Sequence, residues 1–458
     1  MDHKQEFYRK LLYFTVPITI QLVITSSLNM IDSIMVGRLG VDSIAAVGVS
    51  NKFSQILIIL LQGFASGATI FCAQYWGTKN KQGVSRSVIY VSVIAALFSL
   101  LFMAITQFFS YEIIGFFSGD TAVKQIGTDF LEIISYTYPF TALSMIFVVA
   151  LKTTGEVRKP TIYSVIALLI NTILNYILIY GKFGAPALGV EGAALATLIA
   201  RMVQTGLLFT LLVKNGFISL KIIRDNLDVF RSNLSQRYFR ITFPSIINHA
   251  TWGVGDTMFF WLYASMGTAQ TAAIALIDPI IFIFTCVFTG ISDASSVMIG
   301  NEIGANRKTR AFQYARQFLK ITVILSILAG IMIYLSMPYI LTLYQITPAV
   351  EQLVYHLIYI YLAISIAKNV NYINNVGILR AGGDTTFSMW VDTLGVWLCA
   401  LPLAAIGVYY HLPLFAVYGL ANSHEVIRAV LGVRRTLSKK WIQNIVEEHE
   451  EAVPIGKI

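Results

Sequence analysis

Apolar runs long enough to cross a lipid bilayer recur down the whole chain, and they restrict it to one kind of fold. About 20 consecutive apolar residues cross the hydrocarbon core as a helix. Runs of that order lie near residues 11–36, 47–73, 88–109, 126–150, 160–180, 188–213, 241–266, 272–299, 314–336, 352–376, 386–407 and 413–433. Only 12% of the 458 residues are charged, against about 25% in soluble domains. Within lipid every backbone polar group must bond inside the protein, and these runs are too long for barrel strands. The expected fold is an all-α polytopic membrane protein with twelve transmembrane helices. Residues 1–15 carry no small-residue cleavage site, and the apolar run continues to about residue 36, so they do not read as a cleaved signal. Cys72, Cys286 and Cys399 each lie in an apolar run and read as buried structural thiols.

Basic residues set the orientation, because cytoplasmic loops collect lysine and arginine. One set of connections holds Lys79, Lys81, Arg86, Lys152, Arg158, Lys159, the stretch Lys214 to Arg240, the stretch Arg307 to Arg316, and Arg380. The opposite set holds only Arg38, Lys124 and Lys182. Lys4, Arg9 and Lys10 before the first span, and Arg434, Arg435, Lys439 and Lys440 after the last, match the rich set. Both termini are therefore expected in the cytoplasm of a multi-pass cell-membrane protein. The net charge of +9 then belongs to the inner membrane face, and no nucleic-acid partner is expected.

The two halves of the chain repeat each other. Adding 227 to a residue number in the first half aligns Pro17 with Pro244, Gly40 with Gly267, Gly63 with Gly290 and Gly77 with Gly304. With one more residue of offset, Leu151-Lys152 and Gly155-Glu156 meet Leu379-Arg380 and Gly383-Asp384. An even number of spans per repeat makes the repeat parallel, so a pseudo-twofold along the membrane normal is expected. The reading is an N-terminal six-helix lobe (1–213), a basic cytoplasmic linker (214–240), a C-terminal six-helix lobe (241–436) and a cytoplasmic tail (437–458). Transporters commonly bind substrate between such halves.

Asp32 lies inside the first span, in VPITIQLVITSSLNMIDSIMVGRLG at 16–40. An acid within a span is costly without a partner or a task, which makes it a functional candidate. Asn171 and Asn175 share a helical face of the fifth span at i, i+4. Asp32 precedes Arg38 by six residues and Asn175 precedes Lys182 by seven, so both sit roughly 10 Å below the outer surface at about 1.5 Å per residue. Thr197 enters from the same side at a similar depth. One carboxylate with amide and hydroxyl oxygens suits a hard monovalent cation, and the carboxylate alone suits a proton. If the cation is Na+, its ligands are expected among Asp32, Asn171 and Asn175. The blander alternative for the asparagines is bonding between neighbouring helices.

Several stretches carry a resemblance to a known family: Pro17 followed fifteen residues later by Asp32, the VGRLG turn, QYWGTKN at 74–80, and above all LNYILIYGKFGAPALGVEGAALAT at 174–197. With the paired turns LKTTGEVRKP at 151–160 and LRAGGDTTF at 379–387, the sequence resembles the multidrug and toxic compound extrusion (MATE) transporters over almost its whole length. The resemblance implies two six-helix lobes and export of amphipathic, often cationic, xenobiotic compounds in exchange for Na+ or H+. It places Asp32, Asn171, Asn175 and Thr197 at the family's N-lobe cation site. The sequence also departs from the family. Trp252 stands where the bacterial multidrug branch has an acid in the seventh span, with Asp256 one turn on. Asn369, beside Lys368, stands where the tenth span often has an acid.

Asp256, Lys368, Asn369, Trp252, Asp293 and Asp392 are thus the C-lobe cavity candidates, with ion pairing between helices as the competing role. Asp256 is the expected partner of Lys368, with Asp293 and Asp392 as rivals. Glu425 and Arg428, at i, i+3, read as a structural pair. His249 reads as a satisfied core histidine. Gly253 to Asp256 also spells the GxGD of intramembrane aspartyl proteases, but the second aspartate and the later Pro-Ala-Leu are missing. A flippase of lipid-linked intermediates would need several cavity-facing arginines, and the spans offer mainly Arg201, Lys368 and Arg428. No P-loop, HExxH or Cys/His metal spacing occurs, so no ATP, cofactor or structural metal is expected. The expected partners are small organic substrates, Na+ or H+, and the bilayer, and the chain is expected to act as a monomer.

Overall fold

The computed structural model describes residues 3–225, 233–342 and 346–446. Arg231 of the expected linker, and 447–458 of the expected tail, lie outside the described residues. All regular structure in the described residues is helical: α1 (His3–Gly37), α2 (Val41–Gly77), α3 (Lys81–Phe117), α4 (Thr121–Ser135), α5 (Thr137–Thr153), α6 (Arg158–Tyr180), α7 (Gly189–Lys214), α8 (Leu220–Asp225), α9 (Asn233–Ser265), α10 (Thr268–Gly304), α11 (Lys308–Leu341), α12 (Pro348–Tyr372), α13 (Thr385–Leu394), α14 (Leu401–Tyr409), α15 (Leu414–Asn422) and α16 (His424–Leu437). Wider π-helical turns continue α12 through Ile373–Leu379 and join α13 to α14 through Gly395–Ala400.

Nine of these helical passes are long and apolar enough to cross a membrane, and the pair α4–α5, bent by 44°, makes a tenth. The other two of the twelve expected passes are α9 and the broken α15–α16. Polar residues dilute their hydropathy: Asn248, His249 and Asp256 in α9, and His424, Glu425 and Arg428 in α16. Helix starts follow side-chain capping, which satisfies otherwise orphaned N–H groups. Asn80 accepts from Gly83 N at 2.7 Å, and Asp120 accepts from Ala122 N at 2.8 Å. Thr347 caps α12, with Pro348 in the first turn where its missing N–H costs nothing.

The repeat reaches the backbone angles. Gly40 and Gly267, at the repeat offset, both precede a 37-residue helix, with φ of 119° and 133°. That region is open to glycine and strained for other residues. Lys79 and Asn306 match in the same way, with φ of 62° and 57°.

By contacts the chain forms two units. One is Pro17–Thr242; the other joins Met1–Val16 to Phe243–Ile458. Both cuts fall inside helices, next to the repeat-related prolines Pro17 and Pro244. The first turns of α1 thus belong to the C-terminal unit, where Phe7 is fully buried with its ring 5.1 Å from both Tyr314 and Phe318. Glu6 there pairs with Lys10 at 2.7 Å and with Arg310. The first turns of α9 belong to the N-terminal unit. Tyr238 packs 3.9 Å from Phe71 and 4.7 Å from Tyr90, centroid to centroid, and its hydroxyl donates to Ser87 Oγ. Gly67 lets Thr242 approach, since a Cβ there would overlap that side chain.

In the C-terminal unit the chain after α16 turns back under the α12–α13 turn. Trp441 is fully buried, Gln443 N donates to Gly382 O at 3.2 Å, and Arg435 pairs with Asp384 at 2.7 Å.

Candidate cation-binding site

Close packing of α6 on α7 builds the N-terminal site. Gly192, Ala193, Ala194 and Ala196 are small and buried, so neighbouring helices can approach α7 closely. A Cβ on Gly192 would lie 2.7 Å from the Leu178 carbonyl, so only glycine permits this approach. The connection is short and pinned: Lys182 N donates to Ile177 O at 3.0 Å, and Leu188 N to Leu178 O at 2.9 Å. Tyr180 donates to Met35 O at 2.9 Å, which holds α1 against α6 one turn beyond Asp32.

These contacts bring Asp32, Asn171, Asn175 and Thr197 together. With its amide turned so that both ends find partners, Asn171 donates to Asp32 Oδ2 at 2.8 Å and accepts from Thr197 Oγ1 at 3.1 Å. Asn175 Nδ2 lies 3.5 Å from the Asn171 amide. Asn175 and Thr172 flank the carboxylate. Both asparagines are buried, Asn175 to 2% exposure. Asp32 Oδ1 and Asn175 Oδ1 are buried and have no hydrogen-bond partner among the described residues. Buried acceptors are rarely left unmade, and an unmade carboxylate oxygen beside an unmade amide oxygen matches what a hard cation or a proton requires.

The C-lobe candidates have different partners. Lys368 lies over the Tyr361 ring at 5.9 Å and acts electrostatically on Asp278, as does Asp256. Trp252 is exposed on α9. Asn369 donates to Ser326 Oγ at 3.0 Å, and Asp293 lies near Tyr372. Asp392 belongs to a separate buried network. It pairs with Arg428 and accepts from Asn248 at 2.9 Å and Asn375 at 2.8 Å, so its partner is Arg428 and not Lys368. Glu425 and Arg428 do pair, at 3.4 Å, and Asn371 donates to Glu425 at 2.7 Å.

Three residues behave differently from their sequence setting. Arg380, counted with the cytoplasmic loop cations, is only 2% exposed. The turn that carries it is covered by the Trp441 segment, and the side chain points inward to Asn248 Oδ1 at 2.6 Å and His249 Nε2 at 3.0 Å. His249 is thus the satisfied core histidine. His424 is buried too and accepts from Arg428 at 3.1 Å, although only His249 stood out in the sequence as a histidine within a span. Asp278, passed over in the sequence, lies in the apolar run ALIDPIIF and carries the same signal as Asp32: a lone acid inside a span.

Comparison with known proteins decides the family. The MatE family profile matches residues 17–177 and again 244–406. The chain belongs to the MatE family. The two matches begin on Pro17 and Pro244, so each half of this MatE chain is one copy of the family's repeat. The uncharacterized transporter YisQ of Bacillus subtilis is 26% identical, over 94% of each chain. The probable multidrug resistance protein NorM of Thermotoga maritima is 25% identical, over 98% of this chain and 97% of its own. The fold matches a crystal structure of a variant of the Vibrio cholerae MATE transporter VcmN, with a TM-score of 0.88 and 18% identity over 97% of this chain and 99% of that one. As a MatE protein the chain is a multi-pass membrane transporter and not an enzyme, which removes the protease reading of Gly253 to Asp256.

Proposed function

We propose that this MatE protein is a secondary active exporter that exchanges Na+ or H+ for amphipathic organic compounds by alternating access of its two lobes, with both termini in the cytoplasm of the cell membrane. The coupling cation binds in the N-terminal unit. Asp32 supplies the charge, and Asn171, Asn175 and Thr197 supply oxygens and orientation. The observation that carries this reading is the pair of buried, unpartnered oxygens on Asp32 and Asn175. An ion gradient is a sufficient source of energy, since one charge crossing 100 mV releases about 2.3 kcal/mol. Cation and substrate need only differ in their affinity for the two states of the transporter.

Dye efflux from proteoliposomes, under a Na+ gradient and a pH gradient applied separately, tests the proposal. One gradient should drive efflux by the wild type, and Asp32→Asn should abolish that drive while the protein still folds. The substitution keeps the shape and removes both the charge and the titratable proton. Efflux by Asp32→Asn at the wild-type rate with unchanged ion dependence would overturn the site assignment.

A further inference from the structure

Arg201 lies near the middle of α7, twelve residues from Gly189 and thirteen from Lys214. Its position on the helix faces the interior of the N-terminal unit. Ala194 and Leu208, seven residues to either side on nearly the same line of the helix, are fully buried. Ile199, Met202 and Phe209 carry the exposed side. Arg201 is nevertheless only half-buried, so part of its surface is accessible.

Three other cations inside the passes have carboxylates within electrostatic reach. Arg428 has Asp392 and Glu425, Arg380 has Asp392, and Lys368 has Asp278. Among the described residues no carboxylate acts on Arg201; burial alone does. Among the described residues its guanidinium makes one hydrogen bond, from Nη1 to Gln204 Oε1 at 2.9 Å. Gln204 is itself held by donating to Ser164 Oγ at 3.0 Å, and both Gln204 and Ser164 are buried. A guanidinium has five N–H donors in a rigid fork, so most of the fork is open. Charges at this depth normally meet an opposite charge.

We propose that the exported compound supplies that charge: Arg201, oriented by Gln204 and Ser164, binds a carboxylate on the substrate. The planar fork accepts such a group through two parallel hydrogen bonds. Thr197 lies one turn along the same face and bonds the Asn171 amide beside Asp32. The carboxylate site therefore shares a polar column with the coupling acid. A compound carrying both an anionic and a cationic group fits this arrangement better than a pure cation. This inference rests on the exporter reading and names the substrate class within it. The same fork would also accept a phosphate, as on a lipid headgroup, but a single arginine held by neutral side chains suits one planar monoanion.

Rhodamine B and its ethyl ester share ring system and cation, and only the acid carries a free carboxylate. Their binding to purified full-length protein in detergent can be followed by fluorescence anisotropy. The wild type should bind the acid more tightly than the ester. Arg201→Gln should weaken the acid about tenfold or more, the scale of one charged hydrogen-bonded contact, and leave the ester unchanged. Arg201→Lys, which keeps the charge and loses the fork, should fall between, and it carries the test if the glutamine variant does not fold. An acid-to-ester ratio that neither variant moves overturns the proposal. So does an equal loss for both dyes, which marks Arg201 as structural. Arg201-dependent binding of a fluorescent phosphatidylglycerol with no preference for the acid dye also overturns it, in favour of a headgroup phosphate. Ion-driven efflux of the ester from proteoliposomes separates the two levels. If the ester is exported and the acid preference is absent, only this inference fails. If no gradient moves either dye, the exporter reading fails.

Discussion

At the scale of single residues, the meeting of Asp32 with Asn171, Asn175 and Thr197 was legible before the fold was known. Asparagines at i, i+4 share a helix face, and the distance from each residue to the next loop cation sets its depth. The bond that matters most is the one Asn171 gives to Asp32 Oδ2. Asn171→Ala should raise the cation concentration for half-maximal transport about tenfold, the scale of one hydrogen bond to a charged group, and shift dye affinity far less. An equal shift in both quantities would place Asn171 in the substrate site. The Asp392–Arg428 pair was not legible. Asp392 and Arg428 lie 36 residues apart on helices whose facing cannot be read from hydropathy, and Arg380 sits in a turn where basic residues normally meet water. Removing one member of a buried pair costs about 3–5 kcal/mol. Asp392→Asn and Arg428→Met should each lower the thermal unfolding temperature in detergent, and the double variant should recover much of the loss. A double variant no better than the worse single one would mean that the two act independently.

At the scale of helices, hydropathy shows where most passes lie but not how they are interrupted. The π-helical turns Ile373–Leu379 and Gly395–Ala400 have no periodic signature, yet they adjoin the buried polar network. Asn375 lies within the first, Arg380 follows it, and Asp392 precedes the second. Such wide turns concentrate at functional sites, where they re-aim side chains. The close approach of α2 to the start of α9 is a second feature without a hydropathy signal. Gly67→Ala would force its new methyl into Thr242, an overpacking that costs typically about 1–3 kcal/mol. Thr242→Gly in the same molecule should restore most of the unfolding temperature. If Gly67→Ala alone is as stable as the wild type, the segment before Pro244 does not sit where the structure places it.

At the scale of the whole molecule, the repeat was the strongest sequence signal, and the paired positive-φ positions show that it extends to backbone angles. The orientation is open to a direct measurement. In a protein freed of Cys72, Cys286 and Cys399, single cysteines at Lys124 and Lys182 should react with an impermeant thiol reagent on intact cells. Cysteines at Lys81 and Lys214 should react only after lysis, and the reverse pattern would invert the topology. What the repeat did not reveal is that its two copies trade their opening turns, because that depends on long-range aromatic contacts of Phe7 and Tyr238. The trade bears on how such a chain is made. During synthesis Phe7 leaves the ribosome more than 300 residues before Tyr314 and Phe318 exist, so the opening turns of the first helix must wait until synthesis is well into the second copy. A gene split between α8 and α9 would yield two fragments that each carry the other's missing wedge. Neither fragment alone should fold, and expressing both together should rebuild the transporter.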